Sequence, residues 1–139
     1  MWTCSLCDRT FRQQNQHHYC GDRTIGHFLN GRSEKALALF DQLIEKISDI
    51  GPVKLHATKS MLVISADVGF AYVIQMGKEF IDVVLPFETP YEDNLCFRKI
   101  GKVPGSNDFN HHLRIMSADD FNAEVCSYLA KAYANGKAV

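Results

Sequence analysis

The apolar positions of this chain follow a helical rhythm, abandon it for about sixty residues, and recover it near the C-terminus. Ala36, Leu37, Phe40, Leu43, Ile44 and Ile47 recur at spacings of three and four, which places them on one face of a helix over 33–50. Ser33 supplies an N-cap, and Gly51 followed by Pro52 predicts a left-handed stop. From Val53 to Met116 the period becomes two. Runs at 53–57, 61–65, 70–76, 80–86, 95–103 and 109–116 are rich in β-branched and aromatic residues. The turns at Gly77-Lys78 and Val103-Pro-Gly-Ser-Asn-Asp108 set hairpin spacing, and a loop of proline and acidic residues fills 86–94. A second helix follows Ser117, with Asp120 completing a capping box and Met116 and Phe121 in the staple positions. Phe121, Val125, Leu129 and Ala132 form its apolar stripe, and Asn135-Gly136 its stop. The order predicts an α+β fold: an antiparallel sheet of five to six strands with N- and C-terminal helices packed on one face.

Residues 1–32 do not share this patterning. Their aliphatic content is Leu6, Ile25 and Leu29, with Trp2, Phe11 and Phe28 as aromatics, too little to build a core unaided. The segment holds Cys4, Cys7 and Cys20 and the histidines His17, His18 and His27. We therefore divide the chain into a 1–32 zinc-knuckle segment and a 33–139 α+β domain, joined at the turn residues Asn30-Gly31.

Cys4-Ser-Leu-Cys7 has the spacing that lets two thiolates of a tight turn meet one ion. Cys20 adds a third sulfur and a histidine the fourth donor, a set suited to tetrahedral zinc. His18 is two residues from Cys20, and alternate side chains of extended backbone point the same way, so His18 ranks ahead of His27, the alternative ligand, and of His17. Four protein ligands leave no open position, which makes the zinc structural, and its binding would supply folding energy that the segment otherwise lacks. A redox role for the Cys-x-x-Cys pair is disfavoured because no strand precedes it.

Trp2-x-Cys4-x-x-Cys7-x-Arg9-x-Phe11, followed by Asn15-Gln16-x-His18-x-Cys20, resembles the opening of a bacterial domain-of-unknown-function family. The resemblance continues through His27-Phe28, Thr58-Lys59, Phe70-Ala71, the His111-His112 strand with Arg114, and the closing Tyr133 and Gly136, so it spans essentially the whole chain. It implies a zinc knuckle followed by an α+β domain, and places His18 at the recurring histidine position. Asp8 stands where relatives carry glycine, a substitution that the tolerance of aspartate for left-handed backbone accommodates. It implies no activity.

Composition narrows the function classes. A chain of 139 residues with 46% apolar and 22% charged residues can build one core. A net charge of −1 leaves no global basic field, so any polyanion site must be a local patch. No apolar run approaches a membrane span, no signal peptide is legible, and an odd number of cysteines points to a reducing compartment. A cytoplasmic location is the expectation.

The local patch is sought in the 95–116 hairpin, which carries four basic residues and one acidic residue. Folding about Ser106 sets Arg98 opposite Arg114, Ile100 opposite His112, Phe97 opposite Ile115 and Lys99 opposite Leu113. One face then gathers Phe97, Phe109, Leu113 and Ile115, with Lys99 and His111 at its rim. The other gathers Arg98, Lys102, His112 and Arg114, a candidate anion site. Asp82 or Glu88 on a neighbouring strand offers those arginines an internal partner. Cys96 sits badly for pairing with a histidine, Cys126 reads as packing, and His56 as a loop residue beside Lys59. No nucleophile, base and oxyanion donor assemble. The leading reading is a zinc-stabilised, non-catalytic module binding an anionic ligand, nucleic acid or a phosphorylated small molecule. The alternatives are a small enzyme using His112 or His111 with Arg98 and Arg114, and a protein-interaction domain presenting Trp2.

Overall fold

A computed structural model describes residues 2–3, 10–11, 25–58, 60–92 and 96–137. Cys4, Cys7, His17, His18, Cys20 and Lys59 lie outside the described residues, as does the His27 side chain. A two-stranded ribbon, β1 (Trp2–Thr3) and β2 (Thr10–Phe11), precedes a short helix α1 (Ile25–Leu29) and the long helix α2 (Glu34–Ser48). Six strands follow: β3 (Lys54–Ala57), β4 (Leu62–Ser65), β5 (Gly69–Met76), β6 (Ile81–Phe87), β7 (Phe97–Lys102) and β8 (Phe109–Ile115). Helix α3 (Ala123–Lys137) closes the fold. All six strands pair antiparallel in the order β3-β4-β5-β6-β8-β7, so the α+β class and the sheet read from the period-two runs are present.

The core lies between this sheet and the helices. Ala36, Leu39, Phe40, Leu43 and Ile47 of α2 and Val125, Leu129 and Ala132 of α3 pack on Leu62, Ile64, Val73, Ile81, Val83, Leu85, Leu113 and Ile115. Successive side chains of a strand point to opposite faces, so the two helices cover one face and leave the other to a different role. Phe28 of α1 belongs to the same core at 8% exposure.

The helix ends differ from the sequence reading. Ser33 caps α2 as expected, its Oγ accepting from the Ala36 N–H at 3.1 Å. Gly51, however, is not left-handed; the positive-φ glycines among the described residues are Gly31 and Gly105. Gly51 is needed because a Cβ there would meet the Tyr133 hydroxyl, which donates to the Pro52 carbonyl at 3.0 Å. Ser117 and Asp120 do not start α3. The Asp120 carboxylate accepts from the Met116 and Ser117 N–H groups around a single 3-10 turn, and Asn122 caps α3 by accepting from the Val125 N–H at 2.9 Å. Met116 is 53% exposed and makes no staple. Asn135-Gly136 does not stop the helix either. Gly136 is helical and packs on Phe70, which a Cβ would strike at 2.7 Å, and its carbonyl accepts from the Asp67 and Val68 N–H groups of the β4–β5 turn.

No described helix is long and apolar enough to cross a membrane.

Candidate anion-binding face

The 95–116 hairpin closes through a turn at Val103-Pro104-Gly105-Ser106, where the Ser106 N–H donates to the Val103 carbonyl and Gly105 takes φ +75°. Pro at the second position and a positive-φ glycine at the third are the chemistry of a type II turn. The register differs from folding about Ser106. Lys99 pairs with His112, Ile100 with His111, Gly101 with Asn110 and Lys102 with Phe109, while Phe97 pairs with Leu113 across a bulge. The extra residue sits at Arg98, so Arg98 and Lys99 are both exposed.

This register redraws the candidate cluster. Arg98 does not oppose Arg114, and Lys102, paired with Phe109, stands on the helix-facing side of the sheet, away from Arg114 and His112. Ile100 likewise faces the helix side opposite His111. Lys99 takes the place expected of Lys102. The outer face therefore holds Arg98, Lys99, His112 and Arg114, with Asp82 from β6 in register with Arg114.

Asp82 is the counterion. Arg114 Nε donates to its Oδ1 at 2.8 Å and Nη2 to its Oδ2 at 2.9 Å, the bidentate fork that suits guanidinium and carboxylate. Arg98 Nη1 reaches the same Oδ1 at 3.8 Å. The Arg114 guanidinium also lies 3.7 Å from the centroid of the Phe80 ring, a cation–π contact. The hydrogen bonds that Arg114 donates to Asp82 hold its pKa above the ordinary value. Three permanent cations thus meet one carboxylate. Arg114 is committed to it, whereas Arg98 is half-exposed and Lys99 exposed. Burial, followed by the Lys99 charge, pushes His112 below the usual histidine range and keeps it neutral near pH 7.

His111 belongs elsewhere. It is fully buried, not at the rim, and packs edge-on against Phe87 and Phe97 with ring centroids 5.1 and 4.9 Å away. Its Nε2 accepts from the Tyr91 N–H at 3.1 Å, so Nδ1 carries the proton toward the Phe109 carbonyl, 2.8 Å away. Both nitrogens are used by the fold. Beside this cluster the Lys131 ammonium lies about 5 Å from the ring centroids of Tyr91 and Tyr128, an arrangement the sequence did not announce.

Burial lowers the pKa of His111 as well. A histidine that protonates near 6.5 when unfolded but resists protonation when folded makes the unfolded state bind more protons in acid. Stability is then full above pH 6.5 and falls as the pH drops below it, by up to about 1.4 kcal/mol per pH unit for each such histidine. Urea midpoints at pH 7.5 and 5.0 should show the loss, and His111→Gln should reduce it. An unchanged pH dependence in that variant would contradict the assignment.

The remaining candidates resolve simply. Burial and a hydrogen bond to Glu124 push the Cys96 thiol up to about 12, which makes it a poor nucleophile. Cys126 is half-buried on α3, with Sγ 3.7 Å from the Phe121 carbonyl oxygen. His56 is in β3 opposite Val63, not in a loop. Among the described residues no three His, Cys, Asp or Glu side chains are grouped as metal ligands.

The face can hold an anion at Arg98 and Lys99 beside a neutral imidazole. Comparison with known proteins adds a family but no activity: no curated protein and no solved structure matches the chain. One family model matches residues 25–136, the stretch that begins at α1 and ends at the last turn of α3. The chain belongs to that family, described as Domain of unknown function (DUF5655).

Proposed function

We propose that the protein is a zinc-stabilised, non-catalytic binding module whose ligand carries phosphate, as nucleic acid or as a phosphorylated small molecule. The observation that carries the reading is the bulge in β7. It turns Arg98 and Lys99 outward together, next to His112 and the Arg114–Asp82 pair, so cationic charge exceeds acidic charge by two on one patch of a nearly neutral chain. Guanidinium and ammonium groups that stay accessible are the natural partners of phosphate oxygens. His112, neutral near pH 7, adds a hydrogen-bonding edge without repelling the cations.

Zinc enters through the N-terminal segment. Cys4, Cys7, His18 and Cys20 would hold it, with His27 as the alternative to His18, and the metal would supply cross-linking and no chemistry. Support comes from the β1–β2 ribbon: Trp2 pairs with Phe11 and Thr3 with Thr10, which closes the loop containing Cys4 and Cys7. Three thiolates and an imidazole form a donor set that zinc favours over calcium or magnesium.

Lys99→Glu and Lys102→Glu separate the two faces of β7. By fluorescence anisotropy with labelled single- and double-stranded oligonucleotides, Lys99→Glu should weaken binding roughly tenfold or more, while Lys102→Glu should change it about threefold at most. Equal losses in the two variants would contradict the assignment of the ligand to the outer face.

A further inference from the structure

The guanidinium of Arg114 is held in a fixed plane. The β5–β6 turn closes with the Gly77 N–H donating to the Phe80 carbonyl at 2.8 Å. The Ser33 hydroxyl that caps α2 donates to the Lys78 carbonyl at 2.6 Å, which pins this turn to the start of that helix. The Phe80 ring folds back over Gly77, where a Cβ would collide with it, so glycine is what lets the ring lie there. On the ring rests the Arg114 guanidinium, its Cζ 3.7 Å from the ring centroid. That is the contact distance of stacked carbon atoms, and an edge-on guanidinium would hold its carbon farther out. The Nε–Nη2 edge is filled by the Asp82 carboxylate. One face and one edge are thus used, yet the Arg114 side chain is still 30% exposed. What is left for a ligand is the second face of the plane, together with Nη1, which has no hydrogen-bond partner among the described residues.

We propose that the ligand of this face is single-stranded nucleic acid, with an unpaired base stacked on the open face of the Arg114 guanidinium and the adjoining phosphates on Arg98 and Lys99. The proposal rests on the phosphate-binding reading above and narrows it. A guanidinium already forked to a carboxylate has less charge to offer a phosphate than its two cationic neighbours have. Its plane is what distinguishes it, and flat, weakly hydrated guanidinium groups are surfaces on which nucleobases stack. The Phe80–Arg114 stack is in place before a ligand arrives, so binding a base requires little further ordering. The cations stand beside it. Arg98 Nη1 lies 3.8 Å from the carboxylate that holds Arg114, and Lys99 is in register with His112, two residues along β8 on the same face. Charges on adjoining rows suit successive phosphates of one strand better than a single phosphate group. Inside a duplex the faces of each base are taken by its neighbours, so an unpaired base is the one that presents a face to the guanidinium. Phe80 is then a positioning residue, in contact with Arg114 and not with the ligand.

Fluorescence anisotropy on the full-length protein tests it with three probes: a labelled thymidine strand of about ten nucleotides, the same backbone with every base replaced by an abasic tetrahydrofuran, and a duplex of the same length. In the unmutated protein the base-bearing strand should bind at least about fivefold more tightly than the abasic one, and the duplex no better than the abasic strand. Equal affinity for the two single strands would overturn the stacking and leave the phosphate-binding reading standing. Absence of binding by all three probes would overturn both, and a duplex that binds more tightly than the base-bearing strand would overturn the choice of single strands. Phe80→Leu keeps an apolar side chain and removes the ring beneath Arg114. It should abolish the preference for bases while changing affinity for the abasic strand by no more than about twofold. Arg114→Lys, which keeps the charge and loses the plane, should abolish the preference as well. A folded Phe80→Leu or Arg114→Lys protein that retains the full preference would overturn the proposal.

Discussion

Removing zinc by chelation at neutral pH, or replacing Cys7 by Ser, is expected to open residues 1–24 to protease and leave a resistant fragment of about 13 kDa. The asymmetry follows from where the apolar mass lies. The sheet and its two long helices bury more than twenty aliphatic and aromatic residues without help from the cysteines. The N-terminal segment has no such apolar reserve, and on the proposed reading metal binding would supply its cross-link. The fragment should begin at or before Ile25, not at Ser33, because Ile25–Leu29 is helical and Phe28 lies in the core. His18→Ala should weaken metal binding more than His17→Ala, since only one of two adjacent extended residues can face the ion beside Cys20. Elemental mass spectrometry on untagged protein should find about one zinc per chain. A value well below one, or unfolding of the whole chain in a single step on chelation, would contradict this part of the account.

Asp82→Asn should act in opposite directions on stability and on binding. Asp82 is 7% exposed and receives two charge-assisted hydrogen bonds from Arg114. Hydrogen bonds to charged groups contribute about 1.5–3 kcal/mol each, and an amide directs an N–H at one of the two guanidinium donors. Arg114 is partly in contact with solvent and recovers some hydration, so the net loss should be about 2–3 kcal/mol, seen as a fall of roughly 1–2 M in urea midpoint. The same change removes the one carboxylate among three cations and releases Arg98. Affinity for a phosphate-bearing oligonucleotide should rise several-fold in the folded variant. A fall in affinity would mean that Asp82 orients the arginines for the ligand instead of competing with it.

Most of the fold was legible because its signals are local. Each of the six strands lies within one or two residues of a period-two run, and Ser33 caps α2. The errors arose where a residue answers to a distant neighbour. Gly51 and Gly136 look like helix stops, but Tyr133 and Phe70 exclude a side chain at those positions from elsewhere in the chain. His111 was expected at the rim of the core face, available to the alternative enzyme reading, but it is buried among Phe87, Phe97 and Tyr91. The anion face was half legible. Arg98, His112 and Arg114 share it, Lys102 does not, and Lys99 was assigned to the wrong side because a one-residue offset exchanges the faces. A signal was present: Phe97 and Ile100 are apolar with two basic residues between them, a spacing that strict alternation forbids and a bulge restores. The pairing of Asp82 with Arg114 required the β6–β8 register, which no turn specifies because β7 intervenes in sequence.

The salt dependence of oligonucleotide binding to the full-length, zinc-loaded protein tests the central reading most directly. Arg98 and Lys99, with a partial contribution from Arg114, should release two to three counterions, giving a log–log slope between about −1 and −3, and Lys99→Glu should reduce its magnitude by roughly one. Absence of binding at micromolar protein in low salt, or a slope that Lys99→Glu leaves unchanged, would contradict it.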